Sequence, residues 1–287
     1  MTKPSLDASL LKRDIAIPMG GLFGFKIPSD EAPFVVPFES HTSRVGIRFF
    51  EDLAKSRSGI FKRDEAGSGL MSNFDVLSGP TFSPAKVHPL IREFYENTSE
   101  FLLTVRPVWH PLYLPAFLVF RKALARHVGQ ANLPFDMKEA LQGIVSHIET
   151  IDFDKDAIVD LTGWVRYYKE TQEPIYVGIY TTFRSDDVGY VSVGFPLPEC
   201  NFTATLVPTN VGGDGFLLRS RFTGTRYAGH YLVWLDNETR SPTVLKIDGF
   251  SEEIQVYVAQ KQLLTDHRFY FLGDNFLTLY YTIDRKV

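Results

Sequence analysis

The chain contains 287 residues, of which 44% are apolar, and its 24 Phe and 13 Tyr make it unusually aromatic. This length allows one large domain or two modest ones, and the apolar content excludes disorder for most of the chain. The net charge of −4, with dispersed Lys and Arg, argues against nucleic acid as a partner.

The amino terminus and the cysteine content predict a soluble, cytoplasmic protein. The first residues, MTKPSLDASLLKRD, lack the apolar stretch of a secretory signal. The longest apolar run, LYLPAFLVF, has nine residues, which are too few to cross a bilayer as a helix. A single cysteine, Cys200, cannot form an internal disulfide and agrees with a reducing compartment.

Residues 1–82 are predicted to be a loop-rich segment that wraps around the rest of the protein. Pro and Gly interrupt this segment repeatedly, and only residues 44–56 (RVGIRFFEDLAKS) have helical character. The GGLFG motif at 20–24 is interpreted as a flexible or tightly turned loop, because it lacks the strand-then-helix context of a phosphate site.

Residues 83–150 are predicted to be a helical region. Ser83, followed by a proline, favours a helix that ends near residue 97. A second helix is expected from about 112 to 128, with Gly129 as its carboxy-terminal cap. Residues 137–148 begin with a capping-box pattern that favours a third helix, but they also read as a strand, and both interpretations stay open.

The second helix carries a basic cluster in its last turns, formed by Arg121, Lys122, Arg126 and His127. Positive charge at a helix carboxy terminus interacts favourably with the helix dipole, which is the first interpretation. Because the helix is also amphipathic, contact with an anionic membrane surface is the alternative.

Residues 151–287 are predicted to be a β domain. Short segments rich in β-branched and aromatic residues follow one another at even spacing, separated by turns such as NVGGDG and LGDN. This pattern predicts an antiparallel β-barrel of eight to ten strands. In HYLVWL and FLTLYYTI one face is mainly apolar and the other mixes aromatic and polar side chains, which suits a barrel that holds one small ligand. Which face points inward is left open.

Motifs of common catalytic sites do not occur in the chain. It has no phosphate loop, dinucleotide fingerprint, His-Glu-x-x-His motif, cysteine pair or Gly-x-Ser-x-Gly elbow, so we expect no metal and no cofactor. The run DFDKDAIVD resembles the start of a calcium loop. However, Ala157 and Gly163 stand where that loop requires Gly and an acidic ligand, so the run is interpreted as a solvated turn.

Candidate site residues are therefore aromatic and polar side chains on the predicted strands. His230 is a candidate donor or weak base near neutral pH, with a hydrogen-bonded rim histidine as the alternative. His267 is a weaker candidate that Asp266 would orient. Buried tyrosine hydroxyls need partners, and a ligand carbonyl is one such partner. The expected hydrogen-bond donors are Tyr168 and Tyr180, and the expected binding and wall positions are Trp164, Arg166, Trp234 and Tyr280.

The segment VRPVWHP presents Trp109 and His110 between two prolines that stiffen it. One interpretation is a rigid connector between two helices whose Trp plugs the barrel mouth. The other is a lid, in which Trp109 covers the ligand and His110 is a donor. Both interpretations place the segment against the barrel.

Four short motifs resemble a pattern of uncharacterised bacterial proteins of the YndJ-like group: FYENTSEF at 94–101, TGWVR at 162–166, GFPLP at 194–198 and FLTLYYTIDRK at 276–286. The resemblance covers residues 90–286, and it implies no catalytic residue because the group has no assigned reaction. In architecture alone, an aromatic-lined antiparallel barrel without cofactor motifs is similar to lipocalin-like proteins, including natural-product pericyclases. The expected fold class is α+β, mainly β: a lipocalin-like barrel with a helical and loop-rich region packed on it.

The leading hypothesis is that the protein binds a largely apolar small molecule and acts as a cofactor-independent cyclase or isomerase of specialised metabolism, of the pericyclase or Diels-Alderase type. Such a catalyst holds a flexible substrate in its reactive conformation and needs few reactive side chains. A non-catalytic lipid or isoprenoid carrier and a partner-binding barrel with a filled interior are the alternatives. The sequence does not determine the ligand or the oligomeric state.

Overall fold

The computed structural model describes residues 25–26, 28, 31–236, 238–239 and 241–286, so the GGLFG motif lies outside the described residues. Strands are the main element of the described chain, and they pair antiparallel. In chain order they are β1 (Phe25–Lys26), β2 (Ile60–Arg63), β3 (Phe101–Trp109), β4 (Ile144–Asp152), β5 (Leu161–Tyr168), β6 (Pro174–Ser185), β7 (Val188–Leu197), β8 (Cys200–Asn210), β9 (Phe216–Arg219), β10 (Gly229–Leu235), β11 (Pro242–Lys246), β12 (Phe250–Ala259), β13 (Gln262–Phe271) and β14 (Asp274–Arg285).

Hydrogen bonding connects these strands in the order β2-β4-β5-β6-β7-β8-β9-β12-β13-β14-β3. The path forks at β8, because residues 201–205 pair with β10 whereas residues 207–210 pair with β9. From β10 the branch continues through β11 to β1. The ten strand segments expected after residue 160 are all present, which confirms the predicted antiparallel strands.

The sheet is not closed into a barrel, so the predicted lipocalin-like barrel of eight to ten strands is corrected. The hydrogen-bonded path ends at β2 and β3, and these two strands do not pair with each other. The 3₁₀ turn Thr98–Glu100 packs against β4, and a one-turn helix at residues 137–140 packs against β3. The sheet is strongly curved, and it still encloses space because side chains of strands near both ends of the hydrogen-bonded path face each other.

Strand β3 replaces the connector that the sequence predicted around VRPVWHP. Residues 101–109 are extended and pair with β14, with Pro107 opposite Leu279. Proline has no backbone N–H to donate, which restricts it to positions where a strand needs no bond on that side. As β3 is the last strand of the path, its outer edge requires no donor from Pro107.

The helical region is shorter than predicted, because it contributes strands as well as helices. The helices are α1 (Phe49–Ser56), α2 (Pro89–Glu96), α3 (Leu114–Phe120), α4 (Arg126–Val128) and α5 (Met137–Ala140), with a π-helical turn Arg121–Ala125 joining α3 to α4 and 3₁₀ turns at Phe74–Leu77, Pro84–Lys86 and Thr98–Glu100. Helix α2 begins at Pro89 and not at Ser83, because Nδ1 of His88 accepts from the N–H of Leu90 and caps it. Met137–Ala140 form a helix that Asp136 caps and residues 144–152 form β4, so each of the two interpretations is correct for part of residues 137–148.

Helix α1 covers the outer face of β4, β5 and β6. Its Phe50 is fully buried together with Val165 and Val177, which point away from the inner face. Gly163 makes this contact possible, since a Cβ at that position would lie 1.8 Å from Cζ of Phe50. With the outer face filled in this way, the alternate residues of β5, Trp164 and Arg166, point to the inner side.

Candidate ligand-binding cavity

A cavity of about 720 Å³ lies on the inner face of the curved sheet. Small-molecule sites typically have about 300–1,000 Å³, with mainly apolar walls and a few polar groups. The walls of this cavity are formed by aromatic and aliphatic side chains from β3, β5 to β10, β12, β13 and β14, together with residues around α2 and α3. They include Phe94, Phe195, Leu218, Phe250, Phe276 and Leu279.

The helical segment after β3 closes one side of the cavity. Trp109 stacks on Phe117 of α3, with ring centroids 3.8 Å apart, and its Nε1–H donates to the carbonyl of Pro134 over 3.3 Å. Phe120 and Leu124 also line the cavity, yet they are 41% and 49% exposed. This side of the cavity therefore borders solvent.

A buried arginine, Arg166, lines this apolar cavity. Its Nη1 reaches the hydroxyl of Tyr281 over 3.4 Å, whereas Nε and Nη2 have no hydrogen-bond partner. The guanidinium carbon lies 5.3–5.6 Å from the ring centroids of Trp164, Tyr176 and Tyr281. Burial lowers the pKa of Arg166, but the hydroxyl oxygens of Tyr176 and Tyr281 together have a larger effect and raise this pKa. The side chain therefore stays charged.

Two tyrosine hydroxyls of the lining remain protonated. Burial raises the pKa of Tyr176 to about 12, although the neighbouring Arg166 acts in the opposite direction. Burial also raises the pKa of Tyr180 well above its ordinary value. Both side chains are consequently neutral hydroxyls, able to donate a hydrogen bond, at any physiological pH.

A carboxylate bridged by two histidines forms a second polar group in the wall. Nε2 of His230 lies 3.1 Å from one oxygen of Glu252, and Nε2 of His267 lies 2.6 Å from the other. Burial alone raises the pKa of Glu252, but the hydrogen bonds from the two imidazoles hold it well below its usual range. Glu252 and His267 line the cavity. The Glu252 carboxylate is therefore ionised in the cavity wall.

The structure brings together four of the predicted site residues. Trp109, Trp164, Arg166 and Tyr180 all line the cavity. The last three share a face because Thr162 pairs with Tyr180 and Arg166 with Tyr176 across β5 and β6. Their predicted roles as donors and binding groups remain predictions.

The other five predicted site residues lie away from the lining. His110 is exposed, and its Nδ1 accepts from the N–H of Leu112. The Tyr168 hydroxyl donates to the carbonyl of Asn132 over 3.0 Å, which ties down the chain after α4. Tyr280 points outward, where Arg106 lies 4.4 Å from its ring centroid.

His230 and Trp234 belong to β10, on the branch of the sheet. His230 is buried behind the wall, packed on the rings of Phe202 and Phe250, and reaches the cavity through Glu252. Trp234, opposite Thr243 in β11, lies further along the branch.

The contacts correct two interpretations of charged residues. Arg121 is buried and donates to Asn132 and Glu139, so it does not belong to an exposed basic cluster. His267 is held by Glu252 and not by its neighbour Asp266. Glu252 was missed altogether, and FSEE carries no signal that separates its buried glutamate from the next one. In DFDKD, Asp152 accepts from the N–H of Lys155, as expected for a turn.

The chain is similar to YndJ. This relative from Bacillus subtilis (strain 168) is described as "Uncharacterized membrane protein YndJ", and it is 28% identical over 216 residues. The match covers 75% of this chain and 38% of YndJ, so the chain spans well under half the length of the relative. The resemblance expected from the four motifs is supported. No family model and no solved structure matches the chain, so the lipocalin-like resemblance has no such support.

The predicted cytoplasmic location is wrong, because YndJ is named a membrane protein. Within the residues that the structure describes, no helix combines the length and the apolar composition needed to cross a bilayer.

Proposed function

We propose that this part of the protein binds a long-chain apolar molecule inside the cavity. The observation that carries the proposal is a space of about 720 Å³ whose walls are almost entirely aromatic and aliphatic. Such a space does not hold water well, because water needs polar partners. Dispersion contacts along its walls are also lost while it is empty. An apolar ligand fills this space without needing polar partners, and it restores the dispersion contacts along the walls.

Binding of saturated amphiphiles with increasing chain length tests this function. Each buried methylene contributes about 0.8 kcal/mol, so two additional methylenes tighten binding roughly tenfold until the cavity is full. Calorimetric titration of the delipidated protein with chains of 10 to 18 carbons measures the dependence. Affinity that does not change with chain length contradicts the proposal.

A matched pair of variants locates the binding. Val193 lines the cavity, and Val193→Phe reduces its volume, so this variant is expected to bind shorter chains than the natural protein does. Val108 is exposed on β3, and Val108→Phe is expected to leave the chain-length limit unchanged. Equal limits in both variants place the ligand elsewhere.

A lipid surface is the proposed source of the ligand. Leu118 and Val119 on α3 are 42% and 69% exposed, and the exposed Lys122 follows in the next turn. An amphipathic surface of this kind binds anionic membranes. Val119→Asp is expected to weaken co-sedimentation with phosphatidylglycerol vesicles, whereas Val108→Asp on β3 is expected to have no effect. Equal co-sedimentation of the two variants contradicts this source.

Cofactor-independent isomerase or cyclase activity is a second candidate function, favoured by Glu252 and His267 in the cavity wall. This pair supplies proton transfer, and Tyr180 supplies a neutral donor beside a bound carbonyl. The test is to extract the molecule that co-purifies with the protein, return it to delipidated protein and follow its mass and chromatographic retention. An unchanged molecule favours the binding function alone.

A further inference from the structure

Arg166 differs from the other buried arginine next to the cavity in having no acidic partner. Arg121 is 6% exposed and donates both to the amide oxygen of Asn132 and to the carboxylate of Glu139. Arg166 is only 2% exposed, and among the described residues it forms no salt bridge; the oxygens near its guanidinium are the hydroxyls of Tyr281 and Tyr176. The chain therefore gives one buried guanidinium a carboxylate partner and leaves the other with free donors.

Arg166 lines the cavity and also carries free donors. Nε and Nη2 are buried without a partner, although an arginine cannot become neutral to reduce the cost of burial. The aromatic rings around the guanidinium stabilise its charge but accept little from N–H groups that lie in its plane. An acceptor with two oxygens matches this fork of donors best.

Within the described lining, the remaining charged groups do not compete for this role. Glu252 accepts from both His230 and His267, so its two oxygens are already engaged. The lining near Arg166 is otherwise formed by Trp164, Tyr176 and Tyr281. Arg166 is therefore the charged group of the described lining that has unused hydrogen-bond donors.

We propose that Arg166 binds the acidic group of an amphiphile, a carboxylate or a phosphate ester, whose chain occupies the apolar part of the cavity. This inference rests on the proposed binding function and specifies its ligand class. The anionic group satisfies the buried donors and neutralises the charge, while the chain covers the aromatic walls. A neutral lipid of the same length leaves the guanidinium unpaired.

The test compares palmitic acid, hexadecyl phosphate and hexadecanol by displacement of the neutral dye Nile red. The natural protein is expected to prefer at least one of the two anions over the alcohol by on the order of 10- to 100-fold, the range for hydrogen bonds to a charged group. Which anion binds more tightly distinguishes a carboxylate from a phosphate ester. In Arg166→Met the preference is expected to disappear while the affinity for hexadecanol is retained.

Two further variants separate the charge of Arg166 from its packing. Arg166→Lys keeps the charge and is expected to keep part of the preference, which also covers the case in which Arg166→Met does not fold. Arg106→Met, on the outer face of β3 over Tyr280, is the control and is expected to keep all of it. Equal affinity of the natural protein for the two anions and the alcohol overturns this inference but leaves the binding function intact. A preference for the anions that persists in Arg166→Met has the same consequence. Absence of binding by all three probes overturns both.

Discussion

Arg166 and Tyr281 are 115 residues apart in the chain, yet Nη1 of the arginine donates to the tyrosine hydroxyl over 3.4 Å inside the cavity. The two residues belong to β5 and β14, and six strands lie between these along the hydrogen-bonded path: β6, β7, β8, β9, β12 and β13. A flat sheet would hold them far apart. Their contact shows that the sheet curves back on itself and encloses the cavity without closing into a barrel.

Removal of the Tyr281 hydroxyl is expected to destabilise the fold modestly. Tyr281→Phe leaves Nη1 of Arg166 without its acceptor, and the long bond suggests a loss near the lower end of the usual cost, about 1 kcal/mol. Urea denaturation measures the free energy of unfolding. The neighbouring substitution Tyr280→Phe, on the outer face, is the control and is expected to change it by less. The reverse order contradicts the assigned faces of β14.

The three tryptophans of the chain are expected to report ligand binding differently. Trp109 and Trp164 line the cavity, whereas Trp234 lies on the β10 branch outside the lining. A brominated fatty acid quenches indole fluorescence on contact, so saturation is expected to quench the natural protein and Trp234→Phe strongly. The double variant Trp109→Phe, Trp164→Phe is expected to show little quenching. Strong quenching of its remaining Trp234 contradicts the location of the ligand.

Two glycines of neighbouring strands are expected to differ in how strongly alanine destabilises them. A Cβ at Gly163 would lie 1.8 Å from the Phe50 ring, so Gly163→Ala displaces α1 and is expected to cost about 1–3 kcal/mol. At Gly178 the nearest atom would be 3.3 Å away, on the side chain of Val193, which lines the cavity and has space beside it. Gly178→Ala is expected to be close to neutral. Thermal denaturation of both variants measures the difference, and similar losses contradict the packing of α1 on β5.

The Glu252 carboxylate is expected to make the fold sensitive to acid. Its pKa in the folded state lies well below the ordinary value of 4.5, so its stabilising contribution is present above about pH 4.5 and is lost as the pH falls towards the folded-state value. Glu252→Gln places an amide between two imidazole donors and is expected to lose about 1–3 kcal/mol at pH 7.

The difference in the free energy of unfolding between the natural protein and Glu252→Gln should therefore become smaller as the pH falls from 5 to 3. Urea denaturation at several pH values follows this difference. Glu253→Gln is the matched control, because the Glu253 carboxylate accepts from the hydroxyl of Tyr270 and does not contact the two histidines. If the difference in the free energy of unfolding stays constant with pH, the hydrogen bonds between Glu252 and the two histidines are not its cause.

The sequence predicted the β domain well because strand signals are local. Segments such as NFTATLVP and EIQVYVAQ combine β-branched residues with period-two alternation, and both form strands. The same local reasoning failed at residues 101–109, where Pro107 suggested a stiff connector. A proline is acceptable in that strand only because β3 is an edge, and the position of a strand in a sheet is not a local property.

The candidate site also has features that local sequence predicts and features that depend on the tertiary structure. Trp109, Trp164, Arg166 and Tyr180 could be named from residue type, since aromatic and polar strand residues are the ordinary lining of a cavity. Tyr280 belongs to the mixed face of FLTLYYTI and contacts Arg106, whereas Leu279 and Tyr281 of the alternate face line the cavity. Alternation defines two faces, and only the packing of other layers decides which one is inside.

The sequence by itself determined that the protein has an antiparallel, aromatic-rich β domain, because periodicity and turn residues act over a few positions. The tertiary structure alone decided that the sheet curves without closing, that Glu252 joins two histidines from different strands, and that Arg166 faces an apolar cavity without an acidic partner. These features depend on contacts between residues distant in the chain. Register, curvature and the helices on the outer face set such contacts, and no short stretch of sequence encodes them.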